Sequence, residues 1–156
     1  MSHKVMLITG GGRGIGAATG VLALTYLSDT ARAEATRAAC EAAGAKVILV
    51  KGDAAKEADI IAAFDAAQRN FGRLDVVVNN AGTTGGKRLL ADTTEADWRR
   101  VLEPNVIGLA LCCREAVRRM STRRGGAGGA IVNVSSRASE LGSGGERLQP
   151  GDELFY

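Results

Sequence analysis

The sequence has few aromatic residues, a single histidine and no long apolar segment, and each shortage excludes something. Aromatic residues make up 4% of the 156 residues, so a hydrophobic core must consist mostly of alanine, valine, leucine and isoleucine. The only histidine is His3, near the N-terminus, which argues against a histidine-based metal site and against a Ser-His-Asp triad. We therefore expect no metal site.

The cysteines and the N-terminal segment indicate in which cellular compartment the protein resides. Cys40, Cys112 and Cys113 have neither metal-binding nor redox spacing, and an odd number with two adjacent thiols indicates reducing conditions. No stretch is apolar enough to cross a membrane, and the N-terminus lacks a charged segment followed by an apolar one. We expect a cytoplasmic protein with no secretion signal and no membrane partner.

The net charge of +3 raises the question of a nucleic-acid partner, because five arginines cluster between residues 114 and 124. They fall toward the end of a predicted helix, where cations complement the helix dipole, and Glu115 can pair with Arg119 four residues later. No aromatic residues that could stack on bases lie between them. A solvated helix face is therefore favoured over nucleic-acid binding.

Apolar segments of strand length alternate with segments of helical pattern along the whole chain. This alternation predicts one α/β domain, a parallel sheet with right-handed crossovers and helices on both faces. Asp29 or Thr30 can cap the first helix, Thr94 with Asp97 resembles a capping box, and Gly44 and Gly72 stand where helices should stop. The predicted strands are 4–9, 21–26, 46–50, 74–79 and 130–135, and the predicted helices are 30–44, 56–72, 94–103 and 105–123.

Three of these strands end in small or polar residues, as strands do when their carboxyl ends open onto a ligand crevice. Residues 7–17 run from a strand into a glycine-rich turn, in which Gly10 allows the turn, Gly14 lets the backbone approach a pyrophosphate and Gly16 permits helix–strand packing. Amides at the following helix start would face the phosphates. Residues 74–82 and 130–136 supply the other two strand ends.

The first crossover is short for such a fold. About five residues separate Ile15 from the apolar run at 21–24, which is too little helix to cross back along a strand. Either the first βαβ unit is damaged or residues 21–27 are not a central strand.

Taken in order, these motifs resemble those of the short-chain dehydrogenase/reductase family. They are Thr-Gly-Gly-Gly-Arg-Gly-Ile-Gly at 9–16, Asn-Asn-Ala-Gly at 79–82, Asn105, and the pair Ser135 and Ser136. The resemblance implies a Rossmann-like doubly wound parallel sheet, here incomplete, with about five strands and the C-terminal strands missing. It covers a partial NAD(P)-binding domain at 1–146, whereas residues 147–156 form a tail that resembles none of the family's motifs.

The resemblance also implies roles for individual residues. Ser136 matches the serine that hydrogen-bonds the substrate carbonyl, with Ser135 as the weaker alternative, and Asn105 matches the asparagine of the proton relay. The family's Tyr-x-x-x-Lys has no counterpart, because Tyr26 is followed four positions later by Thr30 and Tyr156 is the last residue. The implied cofactor-binding residues are Gly10, Arg13, Gly14, Ile15, Gly16, Asp53, Asn80, Ala81 and Gly82.

Each of these residues also has a purely structural interpretation. Ser136 could cap a turn, and Asn105 could simply tolerate irregular backbone at a helix junction. Asn79 and Asn80 could bind neighbouring main chain and hold the sheet together, and Asp53 could be an ordinary acid at a helix start.

The cofactor and the activity follow from the same resemblance. An acid at the end of the second strand would favour NAD, but Tyr26 stands roughly there, and Arg13 could bind a 2′-phosphate, so NADP is favoured over NAD. Two functions remain: an oxidoreductase that reduces a carbonyl or oxidises a secondary alcohol, and a catalytically silent remnant or interaction module. We favour the second for this chain, since losing the proton donor removes a factor of about 10²–10⁴ in rate. We expect poor solubility or self-association through the helix 105–123 or through an exposed edge strand at 130–135.

Overall fold

The computed structural model describes residues 4–11, 20–86 and 89–135. Its five strands and four α-helices follow the predicted alternation, with ends shifted by a few residues. The strands are β1 (Val5–Ile8), β2 (Val21–Tyr26), β3 (Lys46–Lys51), β4 (Val76–Asn79) and β5 (Ala130–Asn133). The helices are α1 (Thr30–Ala42), α2 (Glu57–Phe71), α3 (Glu95–Leu102) and α4 (Leu109–Met120).

Three short helical segments complete the described chain. A π-helical segment, Glu103–Gly108, joins α3 to α4, and 3₁₀ turns lie at Leu90–Asp92 and Thr122–Arg124. The predicted helix 105–123 is therefore α4 with a π-helical entry and a 3₁₀ exit. The entry contains Pro104, which lacks the N–H that a regular α-helix needs, so a change of helix type at this point has a local cause.

The strands form one parallel sheet in the order β3-β2-β1-β4-β5. Val5 on β1 pairs with Val21 on β2, and Val76 on β4 pairs with Ala130 on β5. β1 is the central strand. β2 and β3 follow on one side of it, and β4 and β5 on the other. This arrangement confirms the predicted doubly wound parallel α/β class.

The second strand is central, which excludes one of the two interpretations of the short first crossover. β2 pairs over its whole length with β3 and over four residues with β1. Twelve residues, 9–20, lie between the two strands, and 12–19 are outside the described residues. Twelve residues are at the lower limit for a parallel crossover, so a shortened first βαβ unit is the interpretation that is left.

Alternate residues of the strands build two hydrophobic layers. Leu7 and Val77 point to the side on which α2 and α4 pack, where they meet Phe64 and Ala116. The other layer contains Ile8, Leu22, Leu24, Val47 and Cys40, the last of which lies on α1. The helices thus cover both faces, as a parallel sheet requires.

The predicted helix boundaries are confirmed at several points. Asp29 caps α1, since its Oδ1 accepts a hydrogen bond from the Arg32 amide at 2.9 Å. Thr94 and Asp97 form the complete capping box at the start of α3. Gly72 adopts the left-handed conformation immediately after α2, and Gly44 does so just after α1.

The amino end of β4 is fixed to β1 through Asp75. Its Oδ2 accepts a 2.9 Å hydrogen bond from the Val5 amide, and Arg73 binds its other carboxylate oxygen. Burial alone would raise the pKa of Asp75, but the bonds from Val5 and Arg73 outweigh it and hold the pKa below its usual value. The Asp75 carbonyl also accepts a bond from Ala130, so the same residue sets the register of β5.

The outer strand β5 is exposed along its length. Ile131, Val132 and Val134 are each more than a third exposed, although they are apolar. Across the described residues, every helix is too short or too polar to span a bilayer.

Candidate functional site

The order of the strands places a crevice between the carboxyl ends of β1 and β4. β2 and β3 lie on one side of β1, whereas β4 and β5 lie on the other side. Open α/β sheets bind ligands at such a reversal of strand order. The segments that reach the crevice are the turn after β1, the loop after β3 and the loop after β4. A small pocket at this end of the sheet is lined by Thr9, Thr25, Asp53, Phe64 and Cys112, among others.

Thr9 ties the first turn to the loop after β4. Its hydroxyl accepts hydrogen bonds from the amides of Asn80 and Ala81, both at 3.1 Å. In return, the side-chain amide of Asn80 donates to the carbonyl oxygens of Thr9 and Gly10, again at 3.1 Å each. Four hydrogen bonds therefore join the two loops, and both amide hydrogens of Asn80 are engaged. This is the main-chain binding that the structural interpretation of Asn80 predicted.

Gly10 turns the chain out of the sheet. Its φ is +64°, and a Cβ at this position would lie 2.8 Å from the Cα of Ala81, so only glycine fits. Its amide donates to the Thr25 hydroxyl at 3.1 Å, and the Gly11 amide donates to the Thr25 carbonyl at 2.9 Å. Both amides thus donate hydrogen bonds within the protein. Gly10 allows the turn of the chain, and its amide is not a phosphate donor.

The π-helical segment is hydrogen-bonded to the loop after β4. Asn105 lies within it, accepts a hydrogen bond from the Thr83 amide at 3.0 Å and donates to the Thr83 carbonyl at 2.7 Å. A Cβ on Gly82 would lie 2.9 Å from Asn105 Oδ1, so the loop passes close to this side chain. π-Helical turns are frequent at functional sites.

Asp53 organises the loop after β3. Its Oδ1 accepts from the Ala55 amide at 2.9 Å, and its own amide donates to Asp59 Oδ2 at 2.9 Å. The Asp53 carbonyl accepts from the Lys56 amide. The side chain therefore shapes the start of α2, as the structural interpretation proposed, while the residue also lines the pocket.

Asn79 is buried between β5 and α4. Its Nδ2 donates to Asn133 Oδ1 at 2.9 Å and to the Cys113 sulfur at 3.4 Å, and its Oδ1 has no hydrogen-bond partner. Its side chain therefore binds other side chains, and not the neighbouring main chain of the structural interpretation. It still joins β4 to β5, whose residues Asn79 and Asn133 are paired in register.

The structure brings together five of the predicted site residues. Gly10, Asn80, Ala81 and Gly82 meet at the crevice, with Asn105 against them, and Asp53 lies in the neighbouring loop. Arg13, Gly14, Ile15, Gly16 and Ser136 lie outside the described residues, as does the tail 147–156.

The arginine cluster is only in part the solvated face that the sequence indicated: Arg118, Arg123 and Arg124 are exposed, whereas the Arg119 side chain is only 15% exposed. Glu115 is only 3% exposed and binds Arg114, Arg118 and Arg119, the last of which also binds Asp65 on α2. Burial would raise the pKa of Glu115, but the bonds from the arginines outweigh it and lower the pKa. The predicted Glu115–Arg119 pair is thus part of a buried network that joins α4 to α2.

The apolar face of α4 contacts the core. Cys112, Ala116 and Met120 are buried in the layer shared with α2, and burial raises the pKa of the Cys112 thiol to about 11. The thiol is therefore protonated and packs as a small apolar group. In the described part of the chain, no group of three histidine, cysteine or acidic side chains is arranged to hold a metal ion.

Sequence reasoning missed two residues that shape the crevice. Thr25 binds both amides of the first turn, and its only sequence signal was a hydroxyl at the end of an apolar strand. Thr9 was quoted within the motif but was given no role, although its hydroxyl is the centre of the contact between the two loops.

Comparison with known proteins identifies the origin of this arrangement. The family model described as short chain dehydrogenase matches residues 4–147, nearly the whole chain. The chain belongs to the short-chain dehydrogenase/reductase family. It is 41% identical over 150 residues to the uncharacterized oxidoreductase YgfF of Escherichia coli, covering 91% of this chain and 61% of that protein. It is 39% identical over 147 residues to cis-4-hydroxycyclohexanecarboxylate dehydrogenase of Sinomonas cyclohexanicum, covering 90% and 58%.

Solved structures of the family superpose on the fold. The short-chain dehydrogenase/reductase of Serratia marcescens aligns with a TM-score of 0.78 at 33% identity, covering 92% of this chain and 60% of that one. The chain therefore spans about three fifths of the length of these relatives. Descent from NAD(P)-dependent oxidoreductases is established by these likenesses.

Proposed function

We propose that the crevice between β1 and β4 binds a nicotinamide dinucleotide with its pyrophosphate over the glycine turn. The observation that carries this proposal is the set of hydrogen bonds by which Thr9 and Asn80 lock the turn against the loop after β4. The lock holds Gly10 in a positive-φ conformation at the mouth of the crevice. Because Thr25 occupies the amides of Gly10 and Gly11, the phosphate donors are assigned to the remainder of the turn, at Gly14, Ile15 and Gly16.

The remaining site residues divide between the two ends of the dinucleotide. We assign Asp53, which lines the pocket, to the adenine side, and Asn80, Ala81 and Gly82 to the floor of the crevice, where Asn105 binds the adjacent Thr83. When bound, the dinucleotide supplies or accepts a hydride. Asn105 and Ser136 would then orient the substrate and its proton relay, with Ser136 hydrogen-bonding the carbonyl oxygen.

We assign NADP rather than NAD as the preferred cofactor. Tyr26, not an acid, ends β2, and the nearest acid, Asp29, uses its carboxylate to cap α1. Tyr26 therefore offers no carboxylate to a ribose 2′-hydroxyl, and one oxygen of the Asp29 carboxylate is already bound to α1. Arg13 in the turn supplies the matching cation for a 2′-phosphate.

For the whole protein, we propose reduction of a small carbonyl compound or oxidation of a secondary alcohol, and a cytoplasmic location. The 156 residues contain no Tyr-x-x-x-Lys, so we propose that they bind the cofactor without turning over. Residues 1–146 would form the nucleotide-binding unit and 147–156 a separate tail. The exposed β5 edge, or the outer face of the predicted helix 105–123 with Val106, Ile107 and Val117, would mediate self-association.

Calorimetric titration with NADP⁺ and NAD⁺ tests the proposal, with an Arg13→Ala variant as the matched control. We expect micromolar to millimolar binding of NADP⁺, weaker binding of NAD⁺, and loss of most of this difference in the variant. Absence of heat with both nucleotides would refute binding. Steady hydride transfer with added alcohols or carbonyl compounds would refute the proposal that the chain is catalytically inactive, and would require another proton donor.

A further inference from the structure

Gly108, the last residue of the π-helical segment, contacts the backbone of the loop after β3. It is buried, and a Cβ built on it would overlap the carbonyl oxygen of Ala54. That Cβ would also lie 3.0 Å from the carbonyl carbon of Ala54 and 3.2 Å from the carbonyl oxygen of Glu103. All three atoms belong to the backbone and cannot rotate away as the end of a flexible side chain could. Only glycine therefore allows this close approach.

The π-helical segment consequently touches two loops that leave different parts of the sheet. Near its start, Asn105 holds Thr83 in the loop after β4 by two hydrogen bonds. At its end, Gly108 packs on Ala54 in the loop after β3. β3 and β4 are separated by β2 and β1, so the six-residue segment Glu103–Gly108 bridges the carboxyl edge of the sheet.

Hydrogen bonds join the loop after β3 to the start of α2. Asp53 binds the Ala55 amide with its side chain and Asp59 with its own amide, each at 2.9 Å, and its carbonyl accepts from Lys56. Gly52 also runs close to Asp59, since a Cβ on Gly52 would lie 3.3 Å from the Cβ of Asp59. Ala54 lies between the two residues joined by the bond from the Ala55 amide to Asp53 Oδ1, so we expect a displacement of Ala54 to disturb that bond.

We propose that Gly108 is a positioning residue that sets the loop of Asp53 relative to the loop of Thr83. Through this contact, the two sides of the crevice are held at a fixed separation by one helical segment. The coupling is a property of the chain itself. Its consequence for nucleotide binding rests on the proposed function, in which Asp53 lines the adenine side.

Amide hydrogen exchange in Gly108→Ala tests the coupling without any ligand. The added methyl group must push Ala54 away, so we expect the Asp53 and Ala55 amides to exchange about tenfold faster. The Val134 amide, which donates to the Asn79 carbonyl elsewhere on the sheet, should be unchanged. Val106→Ala is the matched control, because it alters the same segment at a side chain that is 55% exposed. Unchanged exchange at Asp53 and Ala55 in a folded Gly108→Ala variant would overturn the proposal.

A reciprocal variant decides the matter if Gly108→Ala does not fold. Asp59→Ala removes the acceptor of the Asp53 amide from the first turn of α2 and leaves the π-helical segment unaltered. We expect the Thr83 amide, on the far side of the bridge, to exchange about threefold faster in this variant. Exchange at Thr83 equal to that of the unaltered chain would contradict the coupling.

Titration with AMP then separates this inference from the proposed function. If the unaltered chain binds AMP and Gly108→Ala binds it about tenfold more weakly at an unchanged melting temperature, both proposals are supported. If the unaltered chain binds no adenine nucleotide, the proposed function fails, and the exchange measurements alone judge the coupling. If the unaltered chain binds AMP and Gly108→Ala binds it equally well, the positioning role is refuted.

Discussion

Replacing Thr9 by valine should loosen the crevice and destabilise the fold by about 2 kcal/mol. The two side chains have nearly the same shape, but valine cannot accept the hydrogen bonds that the Thr9 hydroxyl receives from the Asn80 and Ala81 amides at 3.1 Å. Each lost bond is worth about 1 kcal/mol, and an unpaired buried amide costs about 1–3 kcal/mol. Asn80 and Ala81 are half-buried, so water can partly replace the hydroxyl and the lower end of this range applies.

Urea unfolding at pH 7 measures this change, with Thr9→Ser as the control. Serine keeps the hydroxyl and loses one methyl group, which should cost about 0.8 kcal/mol. Thr9→Val should therefore be less stable than Thr9→Ser, although it retains more apolar surface. If the valine variant equals or exceeds the serine variant in its free energy of unfolding, the hydroxyl is not what joins the two loops.

Three further perturbations test other parts of the account. Gly10→Ala should weaken NADP⁺ binding at least about tenfold by calorimetry, because its Cβ would meet Ala81 at a positive φ; unchanged affinity would contradict this. Glu115→Gln should lower the free energy of unfolding by about 2 kcal/mol at pH 7, after allowance for the exposure of Arg118. Since the pKa of Glu115 is lowered in the fold, this difference should shrink as the pH falls below about 4, whereas a difference independent of pH would refute the charge network. Val132→Lys should reduce self-association in light scattering, and equal association of both proteins would exclude the β5 edge.

Local signals explain why most of the fold was predictable. Asp29, Thr94 and Gly72 act within a few residues of their position, so their roles at helix ends could be read directly from the sequence. Apolar segments of strand length located all five strands, and their alternation with helical segments indicated that the sheet is parallel. The motifs at Gly10 and at 79–82 were correctly placed at strand ends.

The contacts that shape the site were not predictable, because they join residues far apart in the chain. The Thr9 hydroxyl meets amides 71 and 72 positions away, and Gly108 meets Ala54 across the edge of the sheet. Arg119 looked like part of a solvated face because the sequence does not show that Asp65 and Gln68 lie opposite it. Each of these contacts depends on tertiary packing, about which the hydrophobic periodicity of the sequence carries no information.

The binding of a dinucleotide at the carboxyl end of β1 and β4 is tested most directly by amide NMR shifts during titration with NADP⁺. We expect the amides of Gly11, Ala81 and Gly82 to shift with a common saturation curve, while those at the opposite end of the sheet, such as Gly20 and Asp75, do not shift. Shifts confined to the amino end of the sheet, or no shifts at saturating nucleotide, would contradict the central claim.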